Sequence, residues 1–134
     1  MLKKLFILLL IAGVVGVATF PLWMSKLTDE AFAHPERKNS AEKVKDSMLL
    51  KVKLQQYKEA RKIAEKAIIY FPESEEFPYF LANAAKCAEE ERRHDVAIFW
   101  YSKFLKQYPD HIWSKQIKNK LTRLKELYQP EKQR

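Results

Sequence analysis

The chain has 134 residues, 47% hydrophobic and 31% charged, with a formal net charge of +8. That length holds one domain, and the balance is that of a globular helical protein rather than a disordered one. Cys87 is the only cysteine, which excludes an internal disulfide, and no cysteine follows the apolar N-terminal block where a lipid-attachment signal would need one.

The first element in chain order is that block. From Leu5 to Met24 there is no charge, and Thr19 is the one polar side chain. As a helix the run spans roughly 30 Å, the thickness of a hydrocarbon core. Residues 1–24 are therefore predicted to form a transmembrane signal anchor. Lys3 and Lys4 precede it, whereas Lys26 is offset by Asp29 and Glu30. The positive-inside rule then puts the amino terminus in the cytoplasm and everything after Trp23 outside. The alternative is a cleaved and secreted form, for which Gly16-Val17-Ala18 and Ala31-Phe32-Ala33 offer small residues at the spacing of a processing site. Both readings export the remainder of the chain.

Residues 25–38 read as a linker, because their charge is mixed, their periodicity is weak, and His34-Pro35 disfavours helix before the proline. Residues 39–134 read as a helical domain. Asn39 followed by Glu42 has the form of a capping box, opening a helix over about 40–55 with Val44, Met48 and Val52 on one face. A second runs from Tyr57 to just before Pro72, its stripe made by Ala60, Ile63, Ala64, Ala67 and Ile68. A third begins near Glu76, where Pro78 is harmless because first-turn amides have no intrahelical partner, and ends in the charged run Glu89 to Arg93. The fourth is placed from His94 to Tyr108 and the last from His111 to Tyr128. No segment alternates as a strand would, and both glycines lie in the anchor, so the fold class is all-α.

Two phrases 37 residues apart, K66-A-I-I-Y-F-P-E-S74 and K103-F-L-K-Q-Y-P-D-H111, mark the ends of two helix hairpins. Ala60 and Ala97 each precede a proline, Pro72 or Pro109, by 12 positions, with Ala64 or Tyr101 and then Ala67 or Phe104 between them. Hairpins of this kind cannot cover their own apolar faces and stack on a neighbour. These residues resemble the tetratricopeptide repeat. Ala85 meets the small position 12 before Ala97, and Leu81 the large apolar one; Tyr57 also matches. The first unit departs from the pattern, with Met48 at the small position, Ser47 at the leucine and Lys51 at the tyrosine. The resemblance covers Ala41 to Pro109, with 111–128 as the capping helix, so that two helix pairs and a cap follow the anchor. The period of 37 and the aromatic-proline-acid turns are similar to the repeats of exported bacterial envelope proteins.

Such a family binds partners and performs no chemistry. The resemblance implies a concave groove lined by first helices, which here means Lys45, Leu49, Val52, Lys53, Tyr79, Ala82, Lys86 and Glu89. The charged grip that cytosolic relatives apply to peptide carboxylates is incomplete: Lys45 and Asn83 sit at two of its positions, but Leu49 replaces an asparagine. Phe99 and Trp100 are candidates for an outer contact.

No metal-ligand spacing and no glycine-rich phosphate loop occurs, so no cofactor, metal, catalytic residue or small-molecule substrate is expected. His94-Asp95 and Asp110-His111 read as helix-start residues, whose acids favour the helix dipole. The segment from Trp113 to Arg134 has seven basic residues and two acids. It reads as the solvated face of the capping helix or, alternatively, as a surface for anionic lipid; nucleic acid is not expected after export. The sequence thus points to an adaptor anchored in an inner membrane, with its domain on the periplasmic side and a protein or peptide partner.

Overall fold

In the computed structural model, which describes residues 1–129, the apolar block forms a helix that continues well past it: α1 is Leu2–Ala33. Five shorter helices follow: α2 (Ser40–Lys53), α3 (Tyr57–Tyr70), α4 (Phe77–Glu90), α5 (His94–Gln107) and α6 (Ser114–Tyr128). No strand occurs among the described residues, so the chain is all-α. Each helix packs on the next one in the chain.

Two structural devices alternate between the helices. Three-residue connections close α2 onto α3 and α4 onto α5, with Gln55 and Arg92, 37 positions apart, at φ of 58° and 59°. The amides of Gln56 and Arg93 reach back to the carbonyls of Lys51 and Ala88, so both ends are left-handed caps built without glycine. Six-residue connections join the remaining helices. They begin at His34, Phe71 and Tyr108, whose φ/ψ values are −127°/65°, −128°/52° and −129°/62°. Each of the three donates its amide to the carbonyl four residues back and is followed by a proline and an acid. The turn phrase therefore occurs three times at a period of 37, His34-Pro35-Glu36 being the first copy.

That first copy corrects the reading of residues 25–38 as a linker. The chain is helical to Ala33, and Thr28, Ala31 and Phe32 are buried. Pro35 constrains only its immediate neighbour, so the helix runs up to His34 instead of stopping near Ser25. The Thr28 and Ser47 hydroxyls lie 2.7 Å apart in a buried contact between α1 and α2. The capping box is also absent. Asn39, at φ −105° and ψ 9°, lies outside the extended region from which an N-cap side chain reaches its amides, and it makes no cap bond. Ser40 instead donates its hydroxyl back to the His34 carbonyl at 2.7 Å, and Ser114 does the same to Tyr108. The last helix starts at Ser114 rather than His111, because residues 108–113 are occupied by this turn.

α4 is a wall between two apolar clusters. One of its faces, Phe80, Ala84 and Cys87, joins Ala31 and Phe32 of α1, Val44 and Met48 of α2, and Ala60, Ala64 and Ala67 of α3. The other, Phe77, Leu81, Ala85 and Ala88, packs with Ala97, Ile98, Tyr101 and Phe104 of α5 and with Ile117, Leu121 and Leu124 of α6. Small side chains on α3 and α4 allow their close approach, which is the most extensive pairing in the fold. Aromatic rings tie the clusters to the turns: Phe32 lies 5.9 Å from Phe71, which lies 6.3 Å from Phe80. Beyond this domain, the first half of α1 projects with its apolar side chains exposed.

Candidate functional site

The eight groove residues expected from the sequence fall on α2 and α4. Lys45 is held across to the second pair: its ammonium is 3.0 Å from Glu76 and 5.0 Å from the centroid of the Tyr79 ring. The Glu76 bond raises the Lys45 pKa, so the charge is committed within the fold. Leu49 and Val52 pack, partly buried, against the first cluster, while Lys53 is exposed at the end of α2. Glu89 accepts the Tyr101 hydroxyl at 2.9 Å and lies 3.8 Å from Arg123.

A pocket forms between α4 and α6, and none of the four α2 residues lines it. Ala82 and Lys86 line it with Asn83, Tyr101, Trp113, Gln116, Ile117 and Lys120, around about 250 Å³ of open space between α4 and α6. Trp113 meets Tyr79 edge-on, with ring centroids 4.9 Å apart, which closes the end toward the turn. Chemically this is an amide- and lysine-rimmed slot with an aromatic floor. Trp113, Gln116 and Lys120 were not among the expected lining residues because α6 was read as a cap. Their signal was the 37-residue register, which makes Ser114 the counterpart of Phe77 and α6 the counterpart of α4.

A second groove lies along α1. Its walls are Pro21, Ser25, Thr28, Asp29 and Phe32 on one side and Ser47, Lys51, Glu59, Lys62, Ile63 and Lys66 on the other, around about 310 Å³. It was hidden from the sequence reading by the linker assignment. The Lys66 ammonium sits 4.3 Å above the Phe32 ring, and that of Lys51 donates to Gln56 at 3.0 Å.

Cys87, His94 and His111 sit in different parts of the fold. Burial pushes the Cys87 thiol up to about 11, with the charge of Glu91 adding to the effect. In the folded chain Cys87 is expected to resist a maleimide at neutral pH and to react once denaturant is added, as thiol titration followed by mass spectrometry would show. The sign of the linkage follows. The unfolded chain loses this proton first, so the thiol's contribution to stability is complete below about pH 9.0 and is lost as pH rises toward 11. His94 stacks on Tyr128 at 3.6 Å and joins the start of α5 to the end of α6. His111 accepts the Trp113 amide at 3.2 Å inside the third turn.

Of the outer aromatics, Phe99 is half exposed, while Trp100 tucks against α3 and donates its indole N–H to Glu65 at 3.3 Å. Arg61 bonds Glu65 and Glu91 beside it, so one buried guanidinium ties α3 to the α4–α5 turn, and Glu65 in turn holds the Trp100 indole of α5. Among the described residues no group of three His, Cys, Asp or Glu side chains is placed to hold a metal ion. The two basic residues nearest the C-terminus, Lys132 and Arg134, lie outside the described residues. No family model, curated protein or solved structure matches this chain.

Proposed function

We propose that this protein is a membrane-anchored adaptor of the tetratricopeptide-repeat type, exported so that its helical domain binds a protein or peptide partner in a cell-envelope complex. The observation that carries the reading is α1 itself. Its apolar half is exposed along its length, long enough to span a bilayer, and continuous with a segment fastened into the domain core. An exposed apolar rod of this length is stable in lipid and not in water.

The thrice-repeated turn supports a stacked-hairpin architecture, and so do the places where the first unit departs from the repeat pattern. Ser47 and Lys51 stand where a leucine and a tyrosine are expected, and both line the groove against α1. A repeat whose outer neighbour is the anchor helix has reason to differ there. The adaptor role rests on the slot between α4 and α6, where Lys86, Lys120 and Gln116 offer donors around Trp113.

Two measurements test this. A reporter fused after Arg134 is expected to be active only outside the cytoplasm, and activity inside would overturn the exported topology. A photo-crosslinking residue at Lys86 is expected to give a discrete protein adduct in native membranes, absent when the same residue is placed at the exposed Ile69 of α3. Equal labelling from both positions, or none from Lys86, would overturn the adaptor reading.

A further inference from the structure

The groove along α1 lies where the membrane ends. We infer that it is a binding site for the headgroup of an anionic phospholipid, drawn from the leaflet through which α1 emerges, and that the α2–α3 turn rests in the bilayer interface beside it. This rests on the proposed anchoring of α1.

Geometry carries the placement. Ser40 bonds the His34 carbonyl, and six residues back along α1 the Thr28 hydroxyl meets Ser47, so α2 runs antiparallel to α1 and returns toward the membrane. At a rise of about 1.5 Å per residue, Lys51 stands level with about Met24, and Leu54, at the turn after Lys53, with about Pro21. Pro21 and Ser25 line the groove themselves and straddle the end of the uncharged run at Met24. The groove therefore opens at the depth of the phosphates.

Chemistry supplies the occupant. Lys51, Lys62 and Lys66 face the groove against two carboxylates, Asp29 and Glu59, and Phe32 already engages Lys66. Neither Lys51 nor Lys62 makes an ion pair among the described residues; Lys51 donates to the neutral amide of Gln56. The hydroxyls of Ser25 and Thr28 stand in the same wall. The turn adds a side chain that water does not favour: Leu54 is 55% exposed between Lys53 and Lys58. An exposed leucine flanked by lysines suits an interface where apolar atoms enter the acyl boundary and ammonium groups stay with the phosphates. Each lysine near an anionic surface favours it by roughly fivefold.

The full chain reconstituted into nanodiscs of phosphatidylcholine mixed with phosphatidylglycerol tests this. Native mass spectrometry is expected to find retained lipid enriched in phosphatidylglycerol over the bilayer. Lys51→Gln with Lys62→Gln is expected to lower the enrichment by roughly fivefold per lysine, while Lys115→Gln with Lys118→Gln on α6 leaves it unchanged. No enrichment in the native chain, or an equal loss from the α6 pair, would overturn the inference.

Nitroxide labels on a Cys87→Ala background read depth independently. A label at Leu54→Cys is expected to be relaxed by oxygen more than by a water-soluble nickel complex, and one at Ile112→Cys, on the opposite edge, the reverse. A label at Val14→Cys separates the two readings. If it contacts lipid while the Leu54 label sits in water, only the headgroup site is lost. If it does not contact lipid, the anchor is lost as well.

Discussion

Phe80→Ala is expected to destabilise the helical domain by about 3–5 kcal/mol. Phe80 is fully buried on the face of α4 that meets α1, α2 and α3, and its ring continues the line from Phe32 through Phe71. The neighbours that would have to collapse into the vacated space include Ala60, Ala64, Ala67 and Ala84, whose side chains are too short to reach it. Most of the cavity would therefore persist, which places the cost toward the upper end of the range. Domains of this size have roughly 5–15 kcal/mol of total stability, so one such loss removes a large part of it. Urea denaturation of the full chain in detergent, followed by circular dichroism, measures the shift. Phe80→Leu is expected to cost less than about 1.5 kcal/mol, because a leucine keeps most of the volume. A Phe80→Ala chain that unfolds at the native urea midpoint would show that the first cluster is not the core of the fold.

Arg61→Ala is expected to cost about 3 kcal/mol, by a different route. The Arg61 side chain is 11% exposed, and the carboxylates it holds, Glu91 and Glu65, are 14% and 31% exposed. The Glu91 bonds, and after them Glu65, push the Arg61 pKa upward, so the guanidinium stays charged throughout the accessible pH range. Removing it leaves Glu91 with only a 4.0 Å contact to the exposed Arg93, in a site with little water, and that under-compensated charge dominates the loss. Replacing both partners, as Arg61→Met with Glu91→Leu, is expected to recover most of the stability. A double-mutant cycle measures the coupling, expected at about 1–3 kcal/mol. Additive losses would mean that Arg61 and Glu91 are solvated independently and that the pair does not clamp α3 to the α4–α5 turn.

Arg61 also shows where the sequence stopped being informative. Its counterpart 37 residues on is Ile98, so the position is an inward one, and an arginine there announces nothing by periodicity. Its partners come from 4 and 30 residues away, and only packing brings them together. The apolar positions were legible for the opposite reason. Val44, Met48, Ala60, Ala64, Leu81 and Ala97 recur at helical spacing, and each is fully buried.

The boundary between the apolar half of α1 and the domain was not legible from hydropathy, which marks where charge begins and not where a helix ends. Thr28 and Ser47 form a polar contact that no apolar stripe would report. The first copy of the turn phrase, at His34-Pro35-Glu36, stands in the sequence and locates the end of α1 by register alone. For the candidate site, Ala82 and Lys86 were legible from the repeat pattern, whereas Trp113 and Lys120 required treating α6 as one more first helix.

α1 passes from Leu2 to Ala33 without a break and is fastened at Thr28 and Phe32, so under the proposed anchoring it would work as a ruler as much as a tether. In a bilayer, the number of residues between Met24 and Thr28 sets the altitude of the whole domain. Each residue added there raises the domain by only about 1.5 Å but turns it by about 100° around the helix axis. Height and heading are thereby geared together. The proposed partner would meet this protein at one elevation and from one compass direction, and a spacing change that keeps the first while altering the second would present the wrong face.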